Sequence, residues 1–128
     1  MNLHDAEKFS SQVAQDFDSL CNSATKQEIE DANGKIEPNI ISNTGSLLYV
    51  AYENTTPLYV GETGKSIKRR FISDTSGSHK VKNSDWYARM THVKFIDLDE
   101  DNVPYRKLLE QALSIAIQPE FYGRRDKK

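Results

Sequence analysis

Tyr49 and Tyr59 stand ten residues apart on either side of Asn54-Thr55-Thr56, and cations follow them at Lys65, Lys68, Arg69, Arg70, Lys80 and Lys82. Side chains alternate along a strand, so Leu47, Tyr49 and Ala51 share one face of a strand over 47–53, and Leu48, Val50 and Tyr52 share the other. With a three-residue turn pairing Glu53 with Pro57, Tyr59 falls opposite Ala51 and diagonal to Tyr49, roughly 7–8 Å away. Leu58 and Val60 then share the face opposite Tyr59. The two phenols meet beside the small Ala51, with Gly61 leaving backbone room nearby. Tyrosines also suit half-buried strand faces through packing alone.

The cations lie in the basic part of an otherwise acidic chain. Residues 1–63 carry ten acids against three bases, 64–94 carry eight bases against Asp74 and Asp85, and the formal net charge is −2. A basic middle of this kind can mark a phosphate-facing surface, although short basic runs are equally common as solvated faces. Gly61-Glu62-Thr63-Gly64-Lys65-Ser66 has the end of a phosphate-binding P-loop, but Tyr59 stands where that loop needs its first glycine. Cys21 is the only cysteine, which excludes an intrachain disulfide framework and a cysteine zinc cluster. No HExxH, nucleophile elbow or Cys–His pair occurs.

A chain of 128 residues has room for one core. No apolar run reaches the ~18–20 residues of a membrane helix, and the N-terminus lacks the basic flank and apolar stretch of a secretory signal. The expectation is an intracellular protein without membrane contact, although delivery into another cell would leave no mark in the sequence. Phe9, Val13, Phe17 and Leu20 predict a helix over 5–21, and 32–46 reads as a loop-rich joint. Strands are predicted at 47–53, 57–61 and 92–98, and short helices at 65–73 and 84–90. A last helix starts from Asp101 or Asn102 as cap, with Pro104 in its first turn. It carries Tyr105, Leu108, Leu109, Ala112, Leu113, Ala116 and Ile117 as its stripe and stops at Pro119. The predicted class is α+β, a small three-stranded antiparallel or mixed sheet flanked by helices, with an extra N-terminal helix. That helix and the joint make up residues 1–44, and 45–128 form the remaining module. The acidic N-terminal helix must bury its stripe on the module's own sheet, or else on a second copy or a protein partner.

Leu48-Tyr49-Val50, Tyr59-Val60-Gly61-Glu62-Thr63, Ile67-Lys68-Arg69-Arg70-Phe71, Leu109-Glu110-Gln111-Ala112-Leu113 and Pro119-Glu120-Phe121 occur in the order and at the spacing of the GIY-YIG nucleases. Residues 46–122 resemble that family. The resemblance implies Tyr49, Tyr59, Arg70, His79 and Glu110 as catalytic residues, with Glu110 as the metal ligand. Arg70 is preferred to Arg69 because it follows Ile67 by three and precedes Phe71, and His79 lies in Ser76-Gly77-Ser78-His79-Lys80, similar to the histidine segment of homing-endonuclease members. Two positions depart from the pattern. Leu47 replaces the first glycine, and Tyr122 stands where the family has asparagine.

The resemblance further implies one Mg²⁺ or Mn²⁺ ion and hydrolysis of DNA to 5′-phosphate and 3′-hydroxyl ends, with RNA as an alternative substrate. Phosphodiester hydrolysis needs an activated water and positive charge where the transition state gathers negative charge. Glu110 would hold the hard cation together with waters and the phosphate. Arg70 would grip the phosphate with its planar fork. A phenol of Tyr49 or Tyr59 would orient or deprotonate the water, with His79 as a proton acceptor. Lys65, Lys68, Arg69, Lys80 and Lys82 would contact nucleic-acid phosphates, which predicts weak sequence preference. The alternatives are an inactive nuclease-fold module that binds nucleic acid or a protein, and a small sequence-specific restriction-type enzyme. Glu110 has its own ordinary alternative, an ion pair with Arg106 one helical turn earlier.

Overall fold

The computed structural model describes residues 2–30, 46–64, 71, 81, 84–98 and 102–122. Helix α1 spans Leu3–Leu20, and the Asn2 side chain caps it by accepting a hydrogen bond from the Asp5 amide at 2.9 Å. Strand β1 (Asn22–Thr25) and the short helix α2 (Lys26–Glu30) follow directly. Thr25 and Glu28 exchange hydrogen bonds between each side chain and the other's backbone amide, at 3.0 and 2.8 Å, a capping box that starts α2 and directs Ile29 into the core.

Strands β2 (Leu47–Glu53), β3 (Thr56–Thr63) and β4 (His92–Asp97) complete a four-stranded antiparallel sheet in the order β1-β4-β2-β3. The predicted sheet was one strand short. Asn22-Ser23-Ala24-Thr25 buries only Ala24, so its strand character comes from pairing with β4 and not from an apolar alternation. Helix α3 (Val103–Ile117) takes its cap from Asn102, whose side chain accepts from the Tyr105 amide at 2.9 Å. It ends at Gln118 in the left-handed conformation (φ 55°), immediately before Pro119. The sheet is thus packed with three helices among the described residues, none of them long and apolar enough to cross a membrane. The predicted helix over 65–73 lies outside the described residues except for Phe71. Of the predicted 84–90 helix, a single 3-10 turn forms at Tyr87–Arg89.

The hairpin differs from expectation at its tip. Glu53 pairs with Thr56 across a two-residue turn, where Asn54 adopts φ 54°. The register then shifts between Ala51 and Tyr52, leaving Leu58 as an extra residue on β3. This bulge restores the predicted pairing of Ala51 with Tyr59, and it turns Leu58 onto the same face as Tyr59 instead of that of Val60.

Two cores result. On one face Leu47, Tyr49, Ala51, Leu58 and Tyr59 pack with Ile29, Phe71, Trp86 and Phe95. On the other, Leu48, Val50 and Val60 pack with Phe17 of α1 and Leu113 of α3. The N-terminal helix therefore covers the chain's own sheet through Phe17 and Val13, while Phe9 and Leu20 of the predicted stripe remain exposed. Tyr105 and Leu108 of α3 are likewise exposed, and the buried line of that helix runs through Arg106 and Leu113. Beyond α3, the Phe121 amide donates to Leu58 O at 2.8 Å and the Glu120 amide to Pro57 O at 3.1 Å, which fixes the following segment along the outer edge of β3.

Candidate active site

Tyr49 and Tyr59 project from neighbouring strands onto one face, with ring centroids 6.3 Å apart. Tyr49 is fully buried, with Phe71 edge-on to it at 5.2 Å. Tyr59 is 8% exposed and stacks on Trp86 at 4.7 Å with an 11° interplanar angle. Strand alternation places Gly61 directly across from Tyr49, and the Tyr49 ring occupies the space a side chain would take there. A Cβ built on Gly61 would lie 2.5 Å from Tyr49 Oη and 2.9 Å from Cε1.

Glu110 sits on α3, the helix that packs against the opposite face of the sheet, and lines a groove with Val60 at β3. The structure thus brings the two phenols together on one face of the sheet, and Glu110 stands on the helix that packs on the other face. The ion pair with Arg106 does not form. Arg106 is buried and directs Nε to Glu62 Oε1 at 2.7 Å, while Lys107 Nζ reaches Glu62 Oε2 at 3.2 Å. Among the described residues the Glu110 carboxylate makes no hydrogen bond and no ion pair. Burial first, and the charge of Glu62 second, push its carboxyl above the usual carboxylate range, with Lys107 pulling the other way.

A hard divalent cation suits this carboxylate. It is half-buried, it makes no hydrogen bond or ion pair among the described residues, and a cation would relieve both its desolvation and the nearby Glu62 charge. Among the described residues no three His, Cys, Asp or Glu side chains converge, so of these residues Glu110 would hold the ion, with waters and substrate oxygens beside it. Arg70, His79, Lys65, Lys68, Arg69, Lys80 and Lys82 lie outside the described residues.

Sequence reasoning gave no role to Glu62 or Trp86 in this region, and it paired Arg106 with Glu110 where the structure pairs it with Glu62. Glu62 follows Val60 by two and so faces α3, a signal present in the strand alternation. The Arg106 terminal nitrogens also approach Gly64, where a Cβ would stand 3.2 Å from Nη2. No family model, no curated protein and no solved structure matches the chain.

Proposed function

We propose that the chain is a divalent-metal-dependent endonuclease hydrolysing DNA phosphodiester bonds with weak sequence preference, arranged like the GIY-YIG nucleases and acting inside cells. The observation that carries this reading is the half-buried carboxylate of Glu110 beside β3, without a hydrogen bond or ion pair among the described residues, with the adjacent Arg106 engaged by Glu62 instead. A desolvated carboxylate without a protein partner lowers stability unless a ligand uses it.

A bound Mg²⁺ or Mn²⁺ would supply charge for the developing oxyanion and acidify water. Glu110 would hold that ion. Arg70 would fix a non-bridging phosphate oxygen through its planar fork, and Lys65, Lys68, Arg69, Lys80 and Lys82 would follow the backbone. Tyr59 would orient water, Tyr49 would hold the β2–β3 register against Gly61, and His79 would accept a proton.

The complete burial of Tyr49 favours a second reading, a module of the same fold that binds nucleic acid or a protein without cutting. Plasmid nicking in Mg²⁺ or Mn²⁺ separates the two. Cleavage by the wild type and its loss in Glu110→Ala is expected. An inert wild type, or an equally active Glu110→Ala, overturns the hydrolytic reading.

A further inference from the structure

Glu110 opens onto a groove of about 610 Å³ between α3 and the segment that follows it, a size ordinary for a small-ligand site. From α3 and its C-terminal cap the lining takes the polar Gln111, Ser114 and Gln118 together with Ile115, and Val60 of β3 completes that side. The facing wall carries Phe121 and Tyr122. No Lys or Arg is among the described residues that line it. The amide, hydroxyl and aromatic side chains of this lining suit a flat group with hydrogen-bonding edges.

The aromatic wall is held in place. The Phe121 backbone is tied to Leu58 O of β3, its ring packs against the core and the Arg89 guanidinium lies 5.9 Å from its centroid. Tyr122, next in the chain, is 55% exposed and lines the groove beside this fixed neighbour. Gln118, at φ 55° at the end of α3, lines the same groove.

We infer that this groove is a nucleobase subsite, in which Tyr122 stacks on the base of a nucleotide flanking the bond to be cut while the Gln111, Ser114 and Gln118 side chains meet its polar edge. The inference rests on the reading of Glu110 as the hydrolytic carboxylate, because that reading puts a nucleic-acid strand at the groove's mouth. A base can enter only when it is out of a duplex stack, so the subsite favours single-stranded or distorted DNA.

The test is a binding cycle in EDTA, where cleavage cannot interfere. Single-stranded oligonucleotides with one abasic position walked along the strand are titrated by anisotropy against wild type, Tyr122→Phe and Tyr122→Ala. Base–aromatic stacking predicts one position at which losing the base weakens wild-type binding about tenfold. At that position Tyr122→Phe should behave as wild type, and Tyr122→Ala should lose affinity with the intact strand but nothing more with the abasic one. Abasic losses that do not depend on residue 122, or no binding of the strand at all, overturn the subsite. The two readings fail separately. Coupling to Tyr122 in a protein that never cuts DNA sinks the hydrolytic reading, whereas cutting without coupling sinks the subsite alone.

Discussion

The Tyr49 ring lies across the Cα of Gly61, its cross-strand partner, so closely that no side chain fits between them. The glycine of Tyr59-Val60-Gly61 is thereby explained by its neighbour and not by backbone freedom. Gly61→Ala should destabilise the fold by about 1–3 kcal/mol or more, as overpacking of a core does. Tyr49→Phe should not relieve it, because the ring carbons clash as well as the hydroxyl. Tyr49→Val should make the alanine tolerable at the cost of its own lost packing. Urea unfolding of the single and double variants reads this as a coupling energy, and additive effects would contradict the packing.

The hydroxyls are separable from the rings. Tyr49→Phe and Tyr59→Phe keep the stacking partners Phe71 and Trp86, so stability should move by no more than about 1 kcal/mol. The hydrolytic reading requires a loss of about 10²-fold in rate in at least one of them, the scale of general acid–base assistance. The lower burial of Tyr49's neighbour Tyr59 points to Tyr59 as the more sensitive. Equal single-turnover rates for all three proteins would leave both tyrosines as packing residues.

The two-faced hairpin was legible because Leu47 to Tyr52 is a short apolar run ended by Asn54-Thr55, and strand geometry divides such a run between two faces. So were the stop at Pro119 and a cap at Asp101 or Asn102, of which the structure uses Asn102. β1 was not legible, since Asn-Ser-Ala-Thr offers a single buried methyl, although the Thr25-x-x-Glu28 box that follows could have announced α2. The bulge at Leu58 leaves no mark in composition, so the prediction placed Leu58 on the wrong face while pairing Tyr59 correctly. At the site, sequence offered Arg106 to Glu110 by helical spacing. The choice of Glu62 instead depends on how α3 lies over β3, which only the assembled sheet decides.

That choice makes Arg106 a structural residue. Its side chain and that of Glu62 are 8% and 13% exposed, so Arg106→Met leaves a largely buried carboxylate without its main partner. A loss of about 3–5 kcal/mol is expected, as when one member of a buried pair is removed. Lys107→Met touches the same carboxylate from a side chain 60% exposed and should change stability by less than about 1 kcal/mol. Thermal unfolding that ranks the two variants the other way would refute the assignment of Arg106 to Glu62.

Glu110 gives a prediction whose sign is opposite to that of a salt-bridged acid. Its carboxyl is raised by burial and then by Glu62, so the folded chain prefers it protonated and its ionised form detracts from stability. Below the unfolded-state value of about 4.3 the group is neutral in both states and contributes nothing. The penalty develops as pH rises through the window above that value and is complete once the folded carboxyl has ionised. Glu110→Gln should therefore resist urea better than wild type at neutral pH, with the advantage gone in acid. A cation bound by Glu110 would reverse the ranking at neutral pH. At 100 times its dissociation constant, Mg²⁺ or Mn²⁺ should stabilise the wild type by about 2.7 kcal/mol and leave Glu110→Gln unmoved. Cleavage by Glu110→Gln should fall by about 10²-fold or more, the scale of losing one preorganised charge at the reacting phosphate. Equal stabilisation of both proteins by the metal would place the ion elsewhere, and a wild type more stable than Glu110→Gln in metal-free buffer at neutral pH would contradict the burial of this carboxylate.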